Sequence, residues 1–363
     1  MMEKMKYYIL LLGLCLLGCN NQPSKQKKES DNWNCEVDTS MCIASGALSK
    51  LDIEISKRSI YYWKTTFNLS DWDNEFLITH DIERIYLRLF DVAYKFDYDG
   101  EQKSVPIATT KFRCKIPDNV EIVPVAYITQ EAIRNNPEFH EVLYKRIKAM
   151  ATKHGFKNFK EIQLDCDWTK STRDKFFGLC QNMRNLLRAD SILLSATIRL
   201  HQLRDSVPPV DRGVLMLYNT GSIYDSETEN SILSYEDVEP YLKSKIQYNL
   251  LLSLAYPTYS WSIATRNDKF LCILHQTDFS NDKLYQYVWN NTFKVKEYHI
   301  LENHEMFEDD LIRKESPSFD EISKVKKLVT ERITSSMEGS VIYHLDHNGL
   351  SRFTPNEIDK ILE

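Results

Sequence analysis

The stretch EIQLDCDWT at residues 161–169 places two carboxylates, Asp165 and Asp167, after an apolar run. Side chains two residues apart on a β-strand share a face and lie about 5–7 Å apart, so each carboxylate can shift the pKa of the other. A protonated and an ionised carboxylate form the pair that glycoside hydrolysis uses. Two residues on one strand are poorly placed to flank a scissile bond, so a carboxylate from another strand is a better partner. Asp346, in HLDHNG, is the third catalytic candidate.

Basic and aromatic residues near other apolar runs extend this candidate site. Arginine and histidine could neutralise the aspartates or bind a ligand, and sugar rings stack on flat aromatic faces while carboxylates bind sugar hydroxyls. The candidate substrate-binding residues are Trp63, Arg88, Tyr127, Trp168, Arg199, His201, Tyr218, Tyr256 and His344. A structural network of salt bridges would explain the charged residues equally well, and most aromatic residues of any chain belong to the core.

The elements that must position these residues alternate between strands and helices. Such alternation predicts βαβ units and a mostly parallel sheet. Eight strands in about 300 residues are typical of a (β/α)₈ TIM-like barrel, in which active sites form at the C-terminal ends of the strands. The predicted strands cover residues 59–65, 83–90, 121–127, 161–166, 192–198, 213–218, 250–256 and 340–345. Residues 262–310 break this rhythm, and we interpret them as an insertion after the seventh strand, with a hairpin around Asn267 and Asp268.

Alternation within the fourth strand predicts which way its side chains point. Ile162 and Leu164 share one face, and Gln163, Asp165 and Asp167 share the other. Barrel strands are buried on both faces, and an apolar face fits best beneath the helices. The polar face should therefore line the barrel interior near its top. By the same reasoning, His344 and Asp346 of the eighth strand should share an inward face.

The N-terminus predicts export and lipid attachment. A short charged start with Lys4 and Lys6 precedes an apolar run that is too short to span a bilayer. The run ends in LLGC at Cys19, which resembles the lipobox of bacterial lipoproteins. We therefore expect a signal peptide at residues 1–18, a lipidated Cys19 with a polar tether at 19–56, and the barrel domain at 57–363. Asn20 after the cysteine favours the outer membrane or cell surface over the inner membrane.

Composition excludes several classes of function. The formal net charge is −6 and no basic cluster is present, which argues against nucleic-acid binding. Only 10 glycines occur in 363 residues, and neither a Walker motif nor a GxGxxG motif is present, which argues against a phosphate-binding loop. The cysteines and histidines lack the spacing of a zinc site. We expect neither a metal nor a cofactor, and the alternative is Ca²⁺ or Mg²⁺ at Asp165 and Asp167, since these ions prefer oxygen ligands.

Four segments carry a resemblance to a known family. RIYLRLFDV, IVPVAYI, EIQLDCDWT and LLSATIRL, in this order, resemble a family of bacterial proteins, many of them lipoproteins, for which a glycosidase-like TIM barrel is predicted. The family has no established activity, so the resemblance, over residues 57–350, implies the fold. A more distant likeness is to chitinase-type barrels, whose fourth strand ends in DxxDxDxE. Aligned on Asp165 and Asp167, this chain has Ile162 at the first Asp and Thr169 at the acidic Glu.

Two functions follow as expectations. The first is an exported, membrane-anchored lipoprotein whose barrel acts on a carbohydrate through acidic residues at the strand ends. Because the position of the general acid holds Thr169, Asp167 or Asp346 would have to protonate the leaving oxygen. The second is a surface lipoprotein that binds a glycan or another ligand without catalysis. The missing acid is the feature that discriminates between them.

Overall fold

A computed structural model describes residues 57–96, 100–156, 159–275 and 277–363. The predicted signal peptide, Cys19 and the tether lie outside the described residues. Within the described part of the chain, no helix has both the length and the apolar character needed to cross a membrane.

Eight parallel strands close into a barrel, as the sequence predicts. We label them β1 to β8 in chain order. Each pairs in parallel with its neighbours, and β1 pairs with both β2 and β8, which closes the ring. The barrel strands are Ser59–Tyr62, Arg84–Phe96, Glu121–Ile128, Glu161–Asp165, Leu193–Arg199, Arg212–Met216, Leu251–Pro257 and Met337–Tyr343.

The connections supply helices on the outside of the barrel. The first helix, Asp71–Thr79, begins after Ser70, whose hydroxyl accepts the Asp73 amide in a capping box. The helices, labelled α1 to α8, are Asp71–Thr79, Gln130–Asn135, His140–His154, Arg173–Arg188, Tyr235–Val238, Phe319–Arg332, His347–Leu350 and Pro355–Leu362. Short 3₁₀ helices cover Leu200–Arg204 and Glu239–Leu242. After β2, the strand Gln102–Ile107 returns antiparallel to the end of β2.

Alternation in β4 has the predicted sense. The Tyr61 hydroxyl of β1 donates to Gln163 Oε1 of β4 at 2.7 Å. Since β2 and β3 separate these two strands in the sheet, this bond must cross the barrel interior. Ile162 and Leu164 are fully buried on the other face.

The interior is filled by inward-facing apolar side chains from six of the strands and from the turns after β1, β6 and β7. Aromatic and small residues alternate there, so the barrel is a packed core rather than a pore. Its buried members are Tyr61, Tyr86, Val123, Val125, Val214, Met216, Tyr218, Ala255 and Val341, with Trp63, Tyr259 and Tyr343 packed against them.

The insertion after β7 is a five-stranded antiparallel sheet with its own small core. Its hairpin turns at Asn267 and Asp268, both with positive φ, as the sequence predicts. The sheet extends beyond the predicted bounds of 262–310, because Leu311–Glu315 pairs with Trp261–Arg266 inside it. Its strands are Trp261–Arg266, Lys269–Leu274, Tyr285–Trp289, Thr292–Val295 and Leu311–Glu315, and the hairpin His299–Leu301 and His304–Met306 lies beside them.

The N-terminal end of the barrel is closed by a buried ion network. Glu338 accepts from Arg84 Nη1 at 3.1 Å and from Arg212 Nη1 at 2.6 Å. Arg84 also faces Glu121 at 3.4 Å, and Arg212 faces Glu161 at 3.7 Å. Positive and negative side chains alternate in this network, so it ties β2, β3, β4, β6 and β8 together. Charge at this end of a TIM barrel belongs to stability rather than to function.

Candidate functional site

Asp165 and Asp167 meet a shared arginine at the C-terminal end of the barrel. Arg199, the last residue of β5, binds Asp167 through Nε and reaches Asp165 with Nη2 at 3.9 Å. Thr197, two residues earlier on β5, donates its hydroxyl to Asp165 Oδ1 at 2.6 Å. The arginine therefore ties together the two carboxylates that the sequence singled out.

Burial controls the protonation of Asp165. This side chain is 4% exposed, and burial raises its pKa from 3.8 to about 6. The Arg199 guanidinium lowers that pKa, whereas Asp167 and the more distant Asp91 raise it. Near neutral pH the site therefore keeps a measurable fraction of Asp165 protonated beside Asp167.

Aromatic rings form one wall of the barrel mouth. Tyr218, just beyond β6, stacks on Tyr343 with ring centroids 4.4 Å apart, and Arg199 lies over the Tyr218 ring at 5.6 Å. Trp63 contacts Tyr343 with centroids 5.9 Å apart, and Tyr259 contacts it at 5.8 Å. Flat rings thus stand directly beside the charged cluster.

Two further predicted residues border this cluster. Tyr127 of β3 lies in register with Asp165 of β4, and 8% of it is exposed. His201, in the 3₁₀ helix after β5, is exposed and interacts electrostatically with Asp167 and Arg199. Both lie where the sequence predicted, close to the paired aspartates.

Asp91 is a third carboxylate in this region and was not predicted from the sequence. A bulge between Arg88 and Phe90 shifts the alternation of β2, so Arg88 pairs with Val125 and Asp91 with Tyr127, both of which face inward. Asp91 is fully buried, and burial raises its pKa. Arg88, expected to neutralise Asp165 and Asp167, instead bonds Asp91 Oδ1 with Nη2 at 2.7 Å.

The predicted residues after β8 form a separate group. Val341 and Tyr343 face the interior, whereas Ile342 is buried on the outer side, so the inward face predicted for this strand was wrong. Asp346 caps α7 by accepting the Gly349 amide at 3.1 Å, and its other oxygen lies 3.8 Å from Lys64. Burial lowers the pKa of neighbouring His344 to about 4, so this imidazole is neutral at physiological pH.

Trp168 and Tyr256 are structural rather than ligand-facing. Trp168 is 1% exposed and packs edge-on against Phe177 of α4, with centroids 5.3 Å apart. Tyr256 is fully buried on the outer side of β7, with Lys326 of α6 at 6.0 Å from its ring. Neither ring offers an open face in this structure, and their contact with a substrate stays a prediction. Both residues were selected because they lie near a strand end, and that position does not show which side of the strand a side chain faces.

The arrangement places charged groups that can bind a polar ligand beside aromatic rings, of which Trp63, Tyr259 and Tyr343 are partly exposed. Arg199 donates to Asp167, and Asp165 is partly protonated near neutral pH, so the site offers both acceptors and donors. Within the described residues, no three His, Cys, Asp or Glu side chains cluster as a metal site would require.

Comparison with known proteins gives neighbours in structure only. No protein-family model matches the chain, and no curated protein matches it. The spore cortex-lytic enzyme SleL of Bacillus megaterium is 13% identical, with a TM-score of 0.46 over 84% of this chain and 73% of SleL. A chitinase of Chromobacterium violaceum is 9% identical, with a TM-score of 0.49 over 84% of this chain and 99% of the chitinase.

A third similar structure is the GH18 chitinase ChiB of Flavobacterium johnsoniae. It is 12% identical, with a TM-score of 0.46 over 84% of this chain and 93% of ChiB. The distant likeness to chitinase-type barrels that the sequence suggested is therefore found again in the structure. At these identities the likeness concerns the fold, which the strand pairing of this chain establishes by itself.

Proposed function

We propose that this protein is an exported lipoprotein, anchored through Cys19, whose barrel mouth binds a carbohydrate. The observation that carries the proposal is the position of Arg199, which joins Asp165 and Asp167 and lies over the ring of Tyr218. A saccharide has hydroxyl groups around its edge and C–H groups on its faces. Charged acceptors and donors beside flat rings match both features at once.

Binding without hydrolysis is the function that the geometry supports best. A glycosidase needs an acid and a second carboxylate on opposite sides of the glycosidic bond. Thr169 occupies the position at which the chitinase-type motif has its acid. Its backbone amide and its hydroxyl both interact with the Thr172 hydroxyl. Asp346 Oδ2 accepts the Gly349 amide at the start of α7 and Oδ1 faces Lys64, so both of its oxygens already have partners within the protein.

Hydrolysis remains the second candidate because of the pKa of Asp165. A carboxyl group with a pKa of about 6 can act as a general acid near neutral pH, and Asp167 is a neighbouring carboxylate. In this mechanism Asp165 would protonate the leaving oxygen. Asp167 would stabilise the positive charge that develops on the sugar ring.

Titration calorimetry with a panel of neutral, N-acetylated and acidic oligosaccharides tests the proposal. We expect the wild-type protein to bind at least one of them and Asp167→Asn to lose most of that affinity. An assay for new reducing ends on the same panel separates the two candidates, since only the hydrolase releases them. If the wild-type protein neither binds nor cleaves any member of the panel, the carbohydrate proposal is wrong.

A further inference from the structure

The last residue of the insertion sheet, Glu315, is a buried carboxylate that joins three segments of the chain. It is 1% exposed. Its Oε2 accepts the Trp261 indole at 2.7 Å and the Ser231 amide at 2.9 Å, and it also accepts the Ser231 hydroxyl. Its Oε1 accepts Arg313 Nε at 2.8 Å. The start and the end of the insertion are thereby fixed to the segment that follows β6.

Trp261 links this carboxylate to the barrel mouth. Its indole is 5% exposed and meets Tyr259 edge-on, with ring centroids 5.3 Å apart. The Tyr259 hydroxyl donates to Asn219 Oδ1 at 2.6 Å, and its ring contacts Tyr218 and Tyr343. A continuous series of contacts therefore runs from Glu315 to the aromatic wall beside Arg199.

We infer that Glu315 is a positioning residue for ligand binding: it holds Trp261, and through Trp261 it sets the orientation of Tyr259 in the wall of the mouth. The insertion then contributes to saccharide affinity without touching the saccharide through Glu315. This inference rests on the proposed carbohydrate binding at the mouth. The insertion thereby has a role in binding, whereas the aspartates and the arginine at the strand ends do not need the insertion to hold them in place.

The hydrogen bonds to Glu315 indicate which substitutions would disrupt its contacts most specifically. Both carboxylate oxygens face N–H donors, on one side from Trp261 and Ser231 and on the other from Arg313. A glutamine has one oxygen and one NH₂ group, so Glu315→Gln must turn a donor toward a donor on one side. Trp261→Phe removes the indole donor and the second ring of the indole, and it keeps one aromatic ring at this position.

A matched control lies directly before the last strand of the same sheet. Asp310 is also 1% exposed and bonded to an arginine, with Oδ1 and Oδ2 each 2.8 Å from Arg266 nitrogens. Its partners are Arg266 and the Phe307 amide, which donates to Oδ2 at 2.8 Å, and these differ from the partners of Glu315. Asp310→Asn therefore weakens the insertion sheet by similar means while the contacts of Glu315 stay in place.

The experiment measures the Kd of an oligosaccharide bound by the wild-type protein, together with thermal unfolding of each variant. Each protein is also labelled with 5-fluorotryptophan, and the ¹⁹F resonance of Trp63 reports on the mouth. We expect Glu315→Gln and Trp261→Phe to weaken binding about tenfold, the loss equivalent to one hydrogen bond. Both should shift the Trp63 resonance, whereas Asp310→Asn should lower the melting temperature and leave the Kd and that resonance unchanged.

The outcomes separate the inference from the proposal beneath it. If the wild-type protein binds the saccharide but both variants bind within twofold of it, the positioning role is refuted and the proposed function stands. If Asp310→Asn weakens binding as strongly as Glu315→Gln, the effect is general destabilisation and the inference also falls. If the wild-type protein binds no saccharide, the proposed function fails and the inference fails with it.

Discussion

Asp165 carries most of the electrostatic cost of the site. It is almost completely buried, and its nearest cation, Arg199, is shared with Asp167. Because Arg199 binds Asp167 directly, loss of the Asp165 charge does not leave the guanidinium unpaired. Thr197 can donate to an amide oxygen as readily as to a carboxylate. Ionisation of Asp165 therefore destabilises the fold. A carboxylate at this position would then be retained for function.

We expect Asp165→Asn to raise the free energy of unfolding by about 2–3 kcal/mol at pH 8. The folded-state pKa of about 6 lies above the ordinary value of 3.8, so the folded protein binds this proton more tightly than the unfolded chain. The wild-type protein therefore loses stability as the pH rises from about 4 to about 6, and the penalty is complete above that range. Urea unfolding of both proteins between pH 4 and pH 8 measures it.

The control for this prediction is its pH dependence. At pH 4 the wild-type carboxyl group is protonated, so the stability advantage of Asp165→Asn should vanish there. A variant that is less stable than the wild-type protein at pH 8 would show instead that the carboxylate serves as a structural ion pair.

Among the elements, the two ends of the barrel strands differ in how completely their charges are paired. At the N-terminal end, Glu338 lies between two arginines and also accepts the Ser253 hydroxyl at 3.2 Å. At the C-terminal end, one arginine serves two carboxylates. The same strands therefore supply a stabilising network at one end and a strained cluster of charge at the other.

Glu338→Gln should lower the free energy of unfolding by about 3 kcal/mol, near the low end for breaking a buried ion pair. The loss is limited because Arg84 keeps Glu121 and Arg212 keeps Glu161. Denaturant unfolding measures the change, and saccharide affinity should be the same as in the wild-type protein. If the variant is fully folded and its saccharide affinity still differs from that of the wild-type protein, the two ends of the barrel do not act independently.

Sequence alternation predicted the direction of side chains correctly where the strand is regular and failed where it is not. In β4 one face is wholly apolar, so burial fixed the strand and the inward direction of Asp165. In β2 the bulge at Arg88 and Phe90 reversed the alternation, which concealed Asp91 and gave Arg88 a different partner. A bulge adds one residue to one strand only, and no residue type in RLFDV requires it.

The prediction for the eighth strand was wrong for another reason. Both of its faces are buried, so its polar residues alone suggested the inward side. The strand ends at Tyr343, and the alternation therefore does not extend to His344 and Asp346. Inward-facing Tyr343 is the residue that the sequence could have supplied, since it shares a face with the small and apolar residues Gly339 and Val341.

At the scale of the whole molecule, lipid attachment remains a prediction that the N-terminal sequence makes. Cys19→Ala should move the protein from the membrane fraction to the soluble fraction after cell disruption, because no acyl chain would then be attached. Immunoblotting of the separated fractions measures the change, with a co-expressed membrane protein as the control for clean separation. A Cys19→Ala protein that still sediments with membranes would contradict the lipobox interpretation.

The sharing of Arg199 between two aspartates has a consequence for which sugars the proposed carbohydrate site would admit. In the described part of the chain, Arg88 and Arg199 form ion pairs with Asp91, Asp165 and Asp167, and these five groups together carry one surplus negative charge when all three carboxylates are ionised. Uronic and sulfated oligosaccharides should therefore be repelled above pH 6 relative to neutral ones of the same length. Protonation of Asp165 below that pH removes the surplus. The pH around the protein would then decide whether it discriminates against polyanions. Competition between matched neutral and sulfated oligosaccharides, measured at pH 5 and at pH 8, tests this expectation.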